Sequence, residues 1–217
     1  MNYLEPCQYS TRLVEKLELL DTETTLDFDL IHKAIYWAKM YHDGQFRKSG
    51  EPFYTHPLEV AYLVSEYKLT TNVIVTAILH DVVEDSEATA GMIVDAFSWR
   101  IAEMVDRLTR DRPDGSKLGV EEILNNAYAK DDKEVLLIKV VDRLHNMHTI
   151  GSMGDKKQNK IAIETLKSVI YHSNNIDLEK LLNILSSNII FPENVNYLKR
   201  LYSKRFFSDN FQLPSLN

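Results

Sequence analysis

Residues 72–85 read NVIVTAILHDVVED, an apolar block closed by a histidine and three acids. Val73, Ile74, Val75, Ala77, Ile78 and Leu79 leave its first half almost no polar face, so a helix made of it belongs in a core rather than on a surface. Thr70 or Thr71 can cap that helix, and the spacing predicts it from Asn72 to about Glu84. Neighbouring residues on a helix are about 100° apart, so His80, Asp81, Glu84 and Asp85 share an arc of roughly 140°. Carrying that much charge into a core is costly unless a cation compensates it. A solvated acidic helix end is the plain alternative, but the apolar run directly ahead of His80 favours charge delivered inward.

Helical spacing continues on both sides. Leu30, Ile31, Ala34, Ile35 and Ala38 give the segment Leu26 to His42 one buried stripe. Pro57 suits the first turn of a helix that runs on through Leu58 to Tyr67. Further helices are expected at Ala90 to Phe97, Trp99 to Leu108, Glu121 to Lys130 and Asp132 to Thr149, with a turn in RDRPDGSK, residues 110–117. The start of the last, VLLIKVV, could pass for a buried strand, but its period continues through Leu144 and Met147. Helices are also expected at 156–172, Leu178 to Ile190 and Pro192 to Phe207, before a frayed tail. With only 7 Gly and 6 Pro in 217 residues and no internal repeat, the expectation is an all-α, single-domain helical bundle.

Composition narrows the function. Lys and Arg number 25 against 32 Asp and Glu, a formal charge of −7, which argues against the basic surface of a nucleic-acid binder. No apolar run approaches the ~18–20 residues that cross a bilayer, and the N-terminus lacks the features of a signal peptide, so no membrane partner is expected. Cys7 is the sole cysteine, which suits a reducing compartment; the expected location is cytoplasmic.

Of seven histidines, His32 and His172 read as ordinary helix residues. The exceptional set is His56, His80, Asp81 and Asp142, brought from three predicted helices. Two imidazoles and two carboxylates suit a borderline divalent ion such as Mn²⁺ or Fe²⁺, with zinc possible, and leave positions for water and substrate. Asn146 and Thr149 follow Asp142 at i+4 and i+7 and align an amide and a hydroxyl with it. Arg143 and His145 are expected to point elsewhere and brace the site. The polar stretch DGQFRKSGEP, residues 43–52, reads as an ordered loop, and Arg47, Lys48 and Ser49 in it lie close before His56. They could receive an anionic phosphate or remain an exposed basic loop.

Three segments in order, GQFRKSGEPFYTHP (44–57), ILHDVVED (78–85) and LIKVVDRLHNMHTI (137–150), resemble RelA/SpoT-type hydrolases of the HD phosphohydrolase superfamily. The resemblance runs from about Leu26 to Leu166; His148 stands where the family more often has Arg. It implies an HD-type helical domain over 26–175, with residues 1–25 as a lead-in and 176–217 as a helical extension packed on it. It further implies metal ligands at His56, His80, Asp81 and Asp142, usually for Mn²⁺. Glu84 and Asp85 would position and activate water, and Arg47, Lys48, Ser49, Asn146 and Thr149 would meet the guanine nucleotide. The implied activity is removal of the 3′-pyrophosphate of ppGpp or pppGpp, giving GDP or GTP and pyrophosphate, by a stand-alone small hydrolase or a natural fragment that keeps only the hydrolase part. Rival readings are an HD phosphohydrolase of another nucleotide and a non-catalytic alarmone-binding fragment.

Overall fold

Val73 to Leu79, apolar except for Thr76, lie in the middle of the molecule with no exposed surface. They belong to α4 (Thr71–Leu79), and the other helices are arranged around it. The computed structural model describes residues 2–148, less the side chains of Met147 and His148. In chain order the remaining elements are α1 (Gln8–Leu20), α2 (Phe28–Tyr41), α3 (Thr55–Val64), α5 (Val82–Asp85), α6 (Ala90–Ala96), α7 (Trp99–Leu108), α8 (Val120–Ala129) and α9 (Lys133–His148). α4 packs on α2, α3, α7 and α9, and α9 in turn packs on α3, α7 and α8. Among the described residues there is no strand, only two isolated bridges, Phe46 with Pro52 and Asp111 with Lys117. The all-α fold expected from the sequence is therefore the fold observed, and VLLIKVV is helical within α9.

Local chemistry sets the boundaries. Asp27 accepts a hydrogen bond from the Leu30 amide at 2.9 Å and opens α2, and Ser98 does the same for α7 from Ile101 at 3.2 Å. Each caps an amide that would otherwise lack a partner. The helix expected as one piece from Asn72 to Glu84 is interrupted. Nδ1 of His80 donates to the carbonyl of Ala77 at 2.8 Å, occupying the acceptor that the Asp81 amide would use to continue the ladder. Asp81 then adopts φ −100° and ψ −7°, and helical structure resumes as the short α5. His80 and Asp81 thus occupy a joint, so the single four-residue face drawn from helical spacing does not exist.

Residues 1–25, to which the sequence pattern assigned no element, contain α1. Leu13 and Leu17 of α1 are fully buried, and α1 packs on α3. Arg12 pairs with Glu59 and Lys16 with Glu66 across the same contact. The basic loop between α2 and α3 is an ordered hairpin-like turn. The Arg47 amide donates to Glu51 O at 2.8 Å and the Gly50 amide to Arg47 O at 2.9 Å. Gly50 has φ 95°, a conformation that side chains rarely adopt.

Among the described residues no helix is long and apolar enough to cross a membrane. Thr149, the helices expected beyond residue 155 and the extension at 176–217 lie outside the described residues.

Candidate metal centre and its cavity

His56 enters from the first turn of α3, His80 and Asp81 from the α4–α5 joint, and Asp142 from the middle of α9. Nε2 of His56 is 3.2 Å from Asp142 Oδ1 and 3.5 Å from Asp81 Oδ2. Nε2 of His80 is 3.2 Å from Asp81 Oδ1 and 3.8 Å from Asp142 Oδ1. One donor atom from each of His56, His80 and Asp142 lies within 4.8 Å of the other two, the spacing of a set able to share one ion. Asp81 stands against both imidazoles. All four residues singled out as ligands are therefore brought together, three of them buried.

The hydrogen-bond pattern fits a cation. Nδ1 of His80 carries the proton it gives to Ala77, so in the neutral ring Nε2 presents a lone pair; that atom is buried and has no hydrogen-bond partner. Behind His56, its Nδ1 meets Nδ1 of His145 at 2.8 Å, which gives His145 the bracing role expected of it. Burial pulls the His80 imidazole down, but Asp81 and Asp142 outweigh it and raise its pKa to about 10. Asp142 moves the other way: burial opposes ionisation, yet the Lys139 ammonium and the two histidines hold its carboxyl well below the usual range. The cluster demands positive charge between its carboxylates, which a divalent ion would supply.

The centre opens into a cavity of about 430 Å³. Arg47, Lys48, Arg110, Lys139 and Arg143 line it, together with the acids Asp81, Glu84 and Asp142. Arg47 donates from Nη2 to Asn146 Oδ1 at 3.0 Å, and Asn146 donates to Asp142 Oδ1 at 2.6 Å, so the basic loop is tied to the metal centre through one amide. Ser49 sits apart from the cavity wall, its hydroxyl donating to Glu51 at 3.1 Å. Glu84 reaches the cavity with Oε2 accepting from the Arg110 amide at 3.0 Å. Asp85 stands beside it with much of its side chain at the surface, and partial desolvation by the packed groups around its carboxyl, followed by the charges of Asp81 and Glu84, pushes it up to about 6. Its carbonyl accepts from Gln45 at 2.7 Å.

Three cationic residues of the cavity carried no ligand role in the sequence reading. Arg143 lines the cavity instead of pointing away from it. Arg110 arrives from the loop after α7, too distant in sequence for spacing to reveal. Lys139 had a legible signal, because it is the only charge in VLLIKVV and stands three residues before Asp142 on one helix face.

Fold and centre together define a class: an all-helical protein with a His/Asp set able to hold a divalent cation beneath a cavity rimmed by cations. The model of the HD domain matches residues 34–172, well over half of the chain, and the chain belongs to the HD-domain family. It is 36% identical over 190 residues to a GTP pyrophosphokinase of Myxococcus xanthus, a match covering 82% of this chain and 25% of that one. A probable guanosine-3′,5′-bis(diphosphate) 3′-pyrophosphohydrolase of Mycoplasma genitalium is 30% identical over 219 residues, with 94% and 30% covered. The corresponding protein of Haemophilus influenzae is 35% identical over 175 residues, with 76% and 25% covered. The chain thus spans between 25% and 30% of the length of these relatives. A solved structure described as a metazoan orthologue of SpoT that hydrolyses ppGpp shares the fold, with a TM-score of 0.53, 18% identity and coverage of 93% of this chain and 97% of that one. These are relatives of the kind to which RKSGEP, HDVVED and DRLHNM pointed.

Proposed function

We propose that this chain is a metal-dependent hydrolase that removes the 3′-pyrophosphate of guanosine 3′,5′-bis(diphosphate) or its pentaphosphate, giving GDP or GTP and pyrophosphate. The carrying observation is the cluster of buried His56, His80 and Asp142 with half-buried Asp81 against them, opening into a cavity with five cationic residues. Relatives named for this hydrolysis support the choice of substrate. The reaction adds water across one bond: its oxygen joins the phosphorus attached to the ribose 3′ oxygen, the 3′ O–P bond breaks, and the 3′ oxygen takes a proton.

Nε2 of His56, Nε2 of His80 and carboxylate oxygens of Asp81 and Asp142 would hold the ion, which we take to be Mn²⁺. When bound, such an ion supplies Lewis acidity that makes water acidic enough to serve as a nucleophile near neutral pH. Glu84, inside the cavity and held by the Arg110 amide, receives the water proton; Asp85 keeps negative charge beside it. Arg47 and Lys48 of the cavity wall receive the nucleotide and its phosphates, Asn146 holds Arg47 in place, and Ser49 and Thr149 are the further nucleotide contacts that the family resemblance implies. Fixed cations around the cavity offset charge on the pyrophosphoryl group under attack and on the departing ribose 3′ oxygen. The lone Cys7 suits activity in the cytoplasm.

Incubating the purified chain with ppGpp and Mn²⁺ and separating the products by anion-exchange chromatography tests the proposal. Equal amounts of GDP and pyrophosphate, abolished by EDTA, are expected. Metal-loaded protein that leaves ppGpp intact while cleaving another nucleotide would reassign the substrate.

A further inference from the structure

Lys139 is only 4% exposed, a rare position for an ammonium, and its Nζ lies 3.0 Å from Asp142 Oδ2. Asp142 uses its two oxygens differently. Oδ1 faces His56 Nε2 and His80 Nε2 at 3.2 and 3.8 Å and also accepts from Asn146 at 2.6 Å, whereas Oδ2 is turned to Lys139. Both residues belong to α9 at i and i+3, so the helix itself fixes the pairing.

We propose that Lys139 is a positioning residue that makes Asp142 a one-oxygen ligand and tempers the affinity of the centre for its cation. The inference rests on the metal reading given above. With Oδ2 turned to the ammonium, the oxygen that Asp142 presents toward His56 and His80 is Oδ1, and a divalent ion shared with those imidazoles would meet Oδ1 first, leaving the position that a two-oxygen carboxylate would fill to water or phosphate. The same ammonium places a fixed positive charge next to the ion, and like charges in a dry site repel strongly. An uncharged side chain at 139 removes both restraints. The centre should then bind metal more tightly and turn over more slowly, an opposite pair of effects that loss of a purely structural contact does not produce.

Lys139→Met and Lys139→Gln, compared with wild type and Lys139→Arg, test this. Mn²⁺ affinity is measured without substrate, by isothermal titration and by the free-Mn²⁺ electron paramagnetic resonance signal, and kcat for ppGpp is measured separately. The expected result is an Mn²⁺ Kd lower by about tenfold or more in the Met and Gln variants. Their kcat should fall, and the Arg variant should stay within about threefold of wild-type affinity because it keeps the charge. Circular dichroism identifies a variant that fails to fold, and the other neutral variant then decides. Folded neutral variants that bind Mn²⁺ as weakly as wild type or more weakly overturn the role of Lys139 while leaving the metal centre standing. Wild-type protein that binds no divalent metal overturns the metal reading and this inference with it.

Discussion

At the scale of residues, two acids four positions beyond the His-Asp pair carry separable consequences. Glu84 lies in the cavity with a fixed hydrogen bond to the Arg110 amide, whereas Asp85 is exposed with its carboxyl raised to about 6. Glu84→Gln keeps the shape and removes the base, so Mn²⁺ binding should persist while turnover falls by about 10² or more; undiminished turnover would move the base elsewhere. The pKa of Asp85 in the folded chain lies above its ordinary 3.8, so folding favours the protonated form. The carboxyl is therefore neutral in its effect below about pH 4, and stability is lost as pH rises from there to about 6. Asp85→Asn should raise the melting temperature of metal-free protein at pH 7.5 and leave it unchanged at pH 4. Solvent exposure limits the gain to about 1 kcal/mol at most. Equal shifts at the two pH values would contradict the assigned cause. His56, His80, Asp81 and Asp142 were legible in the sequence because two are adjacent and each follows or sits within an apolar helical run. Arg110 was not, because its place in the cavity depends on how a loop returns after α7.

At the scale of elements, the joint at His80 and Asp81 explains why helical periodicity located the site residues yet misdrew their geometry. Counting 3.6 residues per turn assumes an unbroken ladder, and a side chain that takes the Ala77 carbonyl is invisible to that count. α1 shows the opposite failure. Leu13 and Leu17 are one turn apart, but the charged residues around them, including Glu15, Lys16 and Glu18, mask a stripe only two leucines wide. Both are 0% exposed against the core. Leu17→Ala should cost about 2–5 kcal/mol, read as a lower midpoint in urea unfolding with an unchanged slope. A loss under about 1 kcal/mol would mean that α1 does not contribute to the core as described. The helices α2, α7, α8 and α9 match their sequence patterns to within a residue or two, since each combines a clear apolar stripe with a cap or turn signal at its ends.

For the whole molecule, a net charge of −7 concealed a local excess of cations. Five Lys and Arg side chains surround a cavity that also holds three acids, and a metal ion would add to that positive field. An acidic protein can therefore receive a nucleotide bearing several phosphates where tertiary structure gathers its cations. Net charge is a sum and carries no information about such gathering. The match with the HD domain covers residues 34–172, so the cluster and the helices from α3 to α9 lie within a segment shared with proteins three to four times as long. The central claim is that this segment hydrolyses ppGpp through the His56, His80, Asp81 and Asp142 centre. Its most direct measurement compares Mn²⁺ content and ppGpp hydrolysis in wild type and Asp81→Ala side by side. Wild type should release GDP and pyrophosphate in equal amounts, and Asp81→Ala should lose metal and rate together. A folded Asp81→Ala protein that hydrolyses ppGpp at the wild-type rate with no bound metal would contradict it.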